Sequence, residues 1–97
     1  MYTPEHTAAW KRIVDWVHTQ SDAKFAMQIG HAGAKASTRV AWEGIDKPLE
    51  SGNWPLVSAS EQQYLPGVSH VAKAMTRAEM DTVCKEFVDS THAAAPL

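Results

Sequence analysis

Apolar residues recur at Ala9, Trp10, Ile13, Trp16 and Val17, a spacing that lines them along one broad stripe of an amphipathic helix. Thr3 stands before this run as a candidate N-cap, Pro4 suits the first helical position, and Glu5 complements the positive end of the helix dipole. Ser21 and Asp22 punctuate the end, so a helix is predicted over 3–20. A second stripe, Met80, Val83, Cys84, Phe87 and Val88, follows Thr76-Arg77-Ala78-Glu79. That quartet is a capping box: a Thr at the N-cap, and a Glu three residues on that reaches back to the cap's own N–H. Met75 and Met80 are spaced to form the hydrophobic staple across it, and Pro96 stops the run. A helix is predicted over 76–95.

Between the helices the period changes. Phe25, Met27 and Ile29 alternate with Ala26, Gln28 and Gly30, the two-residue period of a strand. A strand is predicted over 24–31. Its second face carries small residues and one amide, which suits a strand covered on both sides. From 32 to 75 no period persists, because Gly33, Gly44, Pro48, Gly52, Pro55, Pro66 and Gly67 keep breaking it. A loop this long is most often a lid or binding loop, or else disordered. Trp42, Trp54 and Tyr64 argue against disorder. The expected order is helix, strand, long loop, helix, an α/β arrangement in which neither stripe can be buried against a single strand.

Composition narrows the classes. The 97 residues are 44% hydrophobic and 21% charged, which is ordinary globular composition. A formal net charge of −2, with Lys and Arg scattered singly, supplies no basic block for nucleic acid or anionic lipid. Cys84 is the only cysteine, so an intrachain disulfide and a multi-cysteine zinc site are excluded. The absence of a basic-then-apolar leader and of a membrane-length apolar run leads to the expectation of a cytoplasmic protein.

The candidate chemistry lies at the end of the predicted strand. Gln28 is followed by Ile29-Gly30-His31-Ala32-Gly33. The two glycines allow close backbone approach or positive φ at a strand-to-loop turn. An amide carries both donors and an acceptor, and so can match the mixed edge of a flavin pyrimidine ring. The alternative for Gln28 is a satisfied buried amide with no ligand.

Gln28-Ile29-Gly30-His31-Ala32-Gly33-Ala34-Lys35 resembles the Gln-Leu-Gly-His-Ala-Gly-Arg-Lys motif at the third barrel strand of the Old Yellow Enzyme family of NADH:flavin oxidoreductases. The resemblance continues in order through Trp42-Glu43-Gly44, Pro48-Leu49, Gly52-Asn53-Trp54-Pro55-Leu56, Ser58-Ala59-Ser60 and Met75-Thr76. It spans the chain from about Tyr2 to Ala95. Within the family the wording is closest to the reductase-like domains of salicylyl-CoA hydroxylase and anthraniloyl-CoA monooxygenase. Ala34 departs from the pattern, where an Arg is usual, so any anchoring by that Arg is absent.

The resemblance implies a part of an FMN-dependent (β/α)8 barrel. It implies that Gln28 hydrogen-bonds the isoalloxazine ring, and that His31 and Gly33 shape the loop leaving the strand, with His31 also a candidate cofactor contact. NADH or NADPH would be the reductant. The substrate would be a small molecule, an electron-poor alkene or an aromatic acyl-CoA derivative. A whole barrel of this kind needs about 200 residues or more. The family's first strands would precede Met1, and its substrate-binding histidine pair and phosphate-binding loops would follow Leu97. These 97 residues are therefore expected to be a fragment without activity of its own. The rival expectation is a non-enzymatic module that self-associates through its two uncovered stripes.

Other signals have plain readings. His6, His18, His31, His70 and His92 show no metal-ligand spacing. Cys84 fits a small buried hydrophobe in the last helix. Trp10 and Trp16 fit helix packing, whereas Trp42 and Trp54 either line a ligand site or glue the loop down. Asp46 and Glu50 form a nominal carboxylate pair whose default is solvated loop charge.

Overall fold

A computed structural model describes residues 1–97. Helices α1 (Pro4–Gln20) and α2 (Ala41–Gly44), with a 3-10 turn over Gly33–Lys35 between them, precede three short strands, β1 (Val57–Ser58), β2 (Gln62–Gln63) and β3 (Val71–Ala74), and helix α3 (Arg77–Ala94) follows. This is a small mixed α/β fold with one three-stranded sheet. The chain divides into two units, Met1–Gly30 with Asp81–Leu97, and His31–Met80.

In the first unit, α1 begins where its cap directs. Thr3 is extended, its hydroxyl accepts from the His6 N–H at 3.3 Å, and Pro4 takes the first turn, where its missing N–H costs nothing. Ser21 closes the helix, its N–H bonding the Val17 carbonyl at 2.9 Å. Val14 is buried, and on α3 so is Ser90, whose hydroxyl donates to the Met1 carbonyl at 2.7 Å. No helix is long and apolar enough to cross a membrane.

In the second unit, β3 is the central strand, parallel to β1 and antiparallel to β2. The register pairs Val57 with Lys73, Ser58 with Ala74, Gln62 with Ala72, and Gln63 with Val71. A tight turn joins β2 to β3. Pro66 and Gly67 occupy its centre, Gly67 has φ of 72°, and the Val68 N–H reaches the Leu65 carbonyl at 3.0 Å. This is the type II pattern, in which Pro presets one central residue and Gly supplies the positive φ of the next. The Gln63 side chain braces the turn at both ends, donating to the Ser69 carbonyl at 2.8 Å and accepting from the Gly67 N–H at 3.0 Å. Leu56 and Ala72 are the buried apolar residues here, Ala72 with no exposure at all.

Three expectations are corrected. Residues 24–31 form no strand. Met27 and Ile29 are half-buried but Phe25 is exposed; no segment of this chain pairs with 24–31, and an unpaired strand leaves its backbone groups to water. Phe25 instead meets the edge of His18 on α1, with ring centroids 6.2 Å apart. Residues 32–75 are not an unbroken loop, since all three strands, α2 and the 3-10 turn lie within them. Cys84 is exposed rather than buried, as are Phe87 and Val88 of the same stripe.

The start of α3 forms the reciprocal capping box. The Thr76 hydroxyl accepts from the Glu79 N–H at 3.2 Å, and the Glu79 carboxylate accepts from the Thr76 N–H at 2.7 Å. The other Glu79 oxygen meets the Lys73 ammonium at 2.9 Å, so β3 and the helix start are linked directly. The Lys73 contact first, then the Thr76 bonds, hold the Glu79 carboxyl down at about 2 from an ordinary 4.5. A carboxyl depressed in the folded state contributes stability that is full above its unfolded value and is lost as pH falls through the folded one. Loss of helical signal is therefore expected as pH falls from 4.5 towards about 2, and Glu79→Gln should flatten that acid limb in circular dichroism. An identical acid limb in the variant would show that the box does not govern the helix start.

Ala72 leaves no room for a larger side chain. Ala72→Leu is expected to destabilise the unit by roughly 1–3 kcal/mol through overpacking. An unchanged urea midpoint would mean that β3 is not the packed centre of the sheet.

Candidate functional site

Gln28 lies in the irregular segment after α1. It is exposed, and its side-chain amide makes no hydrogen bond. The alternative of a satisfied buried amide therefore does not describe it, and its two donors and one acceptor are available. His31 and Gly33 belong to the other unit and are joined to each other. The Gly33 N–H donates to Nδ1 of His31 at 3.0 Å. Gly33 has φ of 58°, a left-handed conformation that glycine adopts without penalty. The 3-10 turn that follows is closed by Lys35 N–H to Ala32 at 3.3 Å and Ala36 N–H to Gly33 at 3.2 Å, and it lies against β1 and β3.

Beyond this turn the chain folds back on itself between Ser37 and Leu49. A bridge pairs Thr38 with Pro48, the Arg39 N–H bonds the Lys47 carbonyl at 2.8 Å, and the Leu49 N–H bonds the Ser37 carbonyl at 2.9 Å. The loop's acidic residues do not pair with one another. Asp46 meets the Lys35 ammonium at 3.1 Å, and Glu50 meets the Arg39 guanidinium at 2.6 Å. The Lys35 ammonium also sits over the Tyr64 ring, 4.9 Å from its centroid. Asp46, then the Tyr64 hydroxyl, raise the pKa of Lys35 above the ordinary lysine value. The sequence carried one faint signal of this cluster, in that Lys35 and Arg39 each precede an acidic residue by the same interval. No regular element has that period, so spacing alone does not reveal the pairing.

His70 fastens the far end of the loop. Its Nε2 lies 2.8 Å from the Leu49 carbonyl oxygen, which also accepts from the Asn53 amide at 3.3 Å. Both tryptophans in this region point outward, Trp42 at 85% and Trp54 at 65% exposure, so neither glues the loop down. A shallow groove in the first unit is lined by Met1, Tyr2, His6, Ala9 and Trp10, and includes neither Gln28 nor His31. No three His, Cys, Asp or Glu side chains cluster as metal ligands.

Each unit offers one neutral, directional group: the free amide of Gln28 in the first and Nε2 of the His31 imidazole in the second. Each can hydrogen-bond an atom of a planar heterocycle. Lys35 and Arg39 are each paired with a carboxylate.

Curated proteins are similar to the chain. Over 98 aligned residues the chain is 33% identical to a protein named NADH:flavin oxidoreductase from Gibberella zeae, an alignment covering 89% of this chain and 24% of that protein. The chain thus spans about a quarter of the length of the curated relative it matches. No protein-family model matches it, and no solved structure does. The likeness points to an oxidoreductase-related origin.

Proposed function

We propose that these residues are part of an FMN-dependent NAD(P)H oxidoreductase of the ene-reductase type, built on a (β/α)8 barrel, and that they furnish one edge of its flavin site. What carries the reading is the likeness to an NADH:flavin oxidoreductase over 89% of the chain, together with the ordered Gln28-to-Lys35 motif. In this reading the Gln28 amide hydrogen-bonds the pyrimidine edge of the isoalloxazine ring, and His31 contributes beside it. The flavin supplies the hydride chemistry when bound, and the protein's part is position and electrostatics. The hydride would come from NADH or NADPH and pass to an electron-poor alkene or an aromatic acyl-CoA derivative. The chain alone is expected to show no turnover by itself. A cytoplasmic location belongs to the same proposal.

FMN titration of the purified chain, followed by flavin fluorescence, tests this. Saturable binding is expected, weakened roughly two- to tenfold by Gln28→Ala, the range for one lost hydrogen bond. Binding equal in the variant would remove Gln28 from the site, and no binding by the parent chain would sink the claim that it holds flavin.

A specific observation favours a second, non-enzymatic reading. Trp10, Ile13 and Trp16 of α1 are all at least 40% exposed, and Val88 of α3 is 52% exposed. Apolar side chains left in water on this scale favour association with a second copy. Sedimentation equilibrium should then give a mass that rises with concentration, and Trp16→Glu should return it to that of a monomer. A monodisperse monomer at all concentrations would remove this reading.

A further inference from the structure

We infer that His31 is a donor-only contact: the Gly33 turn fixes its imidazole as the Nε2–H tautomer, and the ligand atom it takes is a hydrogen-bond acceptor, such as a carbonyl oxygen or an unprotonated ring nitrogen. The Gly33 N–H can only donate, so the atom 3.0 Å away, Nδ1 of His31, must accept. An accepting Nδ1 carries no proton, and in a neutral imidazole the proton is then on Nε2.

That proton has no partner within the protein. His31 is exposed, and its Nε2 makes no hydrogen bond. His70 provides the contrast. Its Nε2 lies 2.8 Å from the Leu49 carbonyl oxygen, an acceptor, and 3.0 Å from the Asn53 side-chain amide, a donor, so that nitrogen is engaged within the loop in either tautomer. Of these two histidines, only His31 has its tautomer set by a single donor-only partner. Gly33 therefore has a role beyond permitting the turn, since its N–H sets which ring nitrogen of His31 faces outward.

The tautomer stands on the turn geometry alone. Flavin as the ligand rests on the function proposed above, where the acceptor would be a carbonyl oxygen or ring nitrogen of the isoalloxazine.

The test is long-range nitrogen–proton NMR on the full 15N-labelled chain, first free and then with FMN. The free chain should show His31 with a pyridine-like Nδ1 and a pyrrole-like Nε2. The opposite tautomer, or a single averaged signal, overturns the assignment. His31→Asn then separates the two roles, because its side-chain oxygen can still accept from the Gly33 N–H while nothing remains at the Nε2 position. The variant should keep the Gly33 amide signal of the parent and bind FMN roughly fivefold more weakly, as for one net hydrogen bond. Undiminished FMN affinity in the variant overturns the donor role. No FMN binding by the parent chain overturns the flavin reading and the ligand half of this inference, while the nitrogen spectra still decide the tautomer.

Discussion

β3 is the only strand with a neighbour on each side, and the second unit is organised around that pairing. The Pro66-Gly67 turn delivers β3 antiparallel to β2, and β1 closes the other edge in parallel. A register slip of one residue would carry Ala72 from the buried face to solvent and bring Val71 or Lys73 inward. Two features depend on the register holding. Lys73 on β3 reaches Glu79 and so fixes where α3 begins. The 3-10 turn that begins at Gly33, whose N–H holds the His31 ring, rests on β1 and β3. The direction in which His31 presents its ring is thus set by a sheet whose strands are only two to four residues long.

The buried apolar set is small: Val14, Leu56 and Ala72. A chain of this size covers only roughly 60–65% of the surface its unfolded form exposes, and here many of the largest side chains are among those left out. Membership of a larger barrel and association with a second copy are two answers to the same deficit. They differ in what does the covering. A barrel would bury the helix stripes against a sheet and leave the end of the 24–31 segment free for a ligand. A second copy would bury the stripes and give that segment no chemical role.

The two long helices were legible in the sequence because their determinants are local, whereas α2 falls inside the segment read as loop. Thr3 with Pro4 and Thr76 with Glu79 each act within one turn, and both act as their spacing predicts. The sheet was not legible because its determinants are distant. Val57–Ser58 and Gln62–Gln63 are too short to display a period, and each becomes a strand only by meeting β3. The 24–31 segment failed in the opposite way: its alternation is clear, but a strand is a relation between segments, and here the partner is missing. For the site, the types of group at Gln28 and His31 could be read from the sequence. The tautomer could not, since it depends on a turn whose φ at Gly33 no spacing specifies. The Lys35–Asp46–Tyr64 cluster joins residues that only the fold-back of the loop brings together.

The charges of that loop bear on what the site can recognise. Lys35 and Arg39 are the cations nearest in sequence to His31 in the second unit, and each is held by a carboxylate. Exposed pairs of this kind contribute about 0–1 kcal/mol, too little to hold the loop in place. The backbone bridge at Thr38 and Pro48 does that, and the ion pairs cancel charge that would otherwise draw an anion. Gln28 and His31, one in each unit, are neutral groups that select by direction rather than by charge. Such groups discriminate between donor and acceptor atoms on a ring, because a mismatched pair leaves a desolvated polar atom unpaired at a cost of roughly 1–3 kcal/mol. A phosphate would gain little from them. In the flavin reading proposed above, each of these two groups would therefore be matched to the ring rather than to the anionic tail.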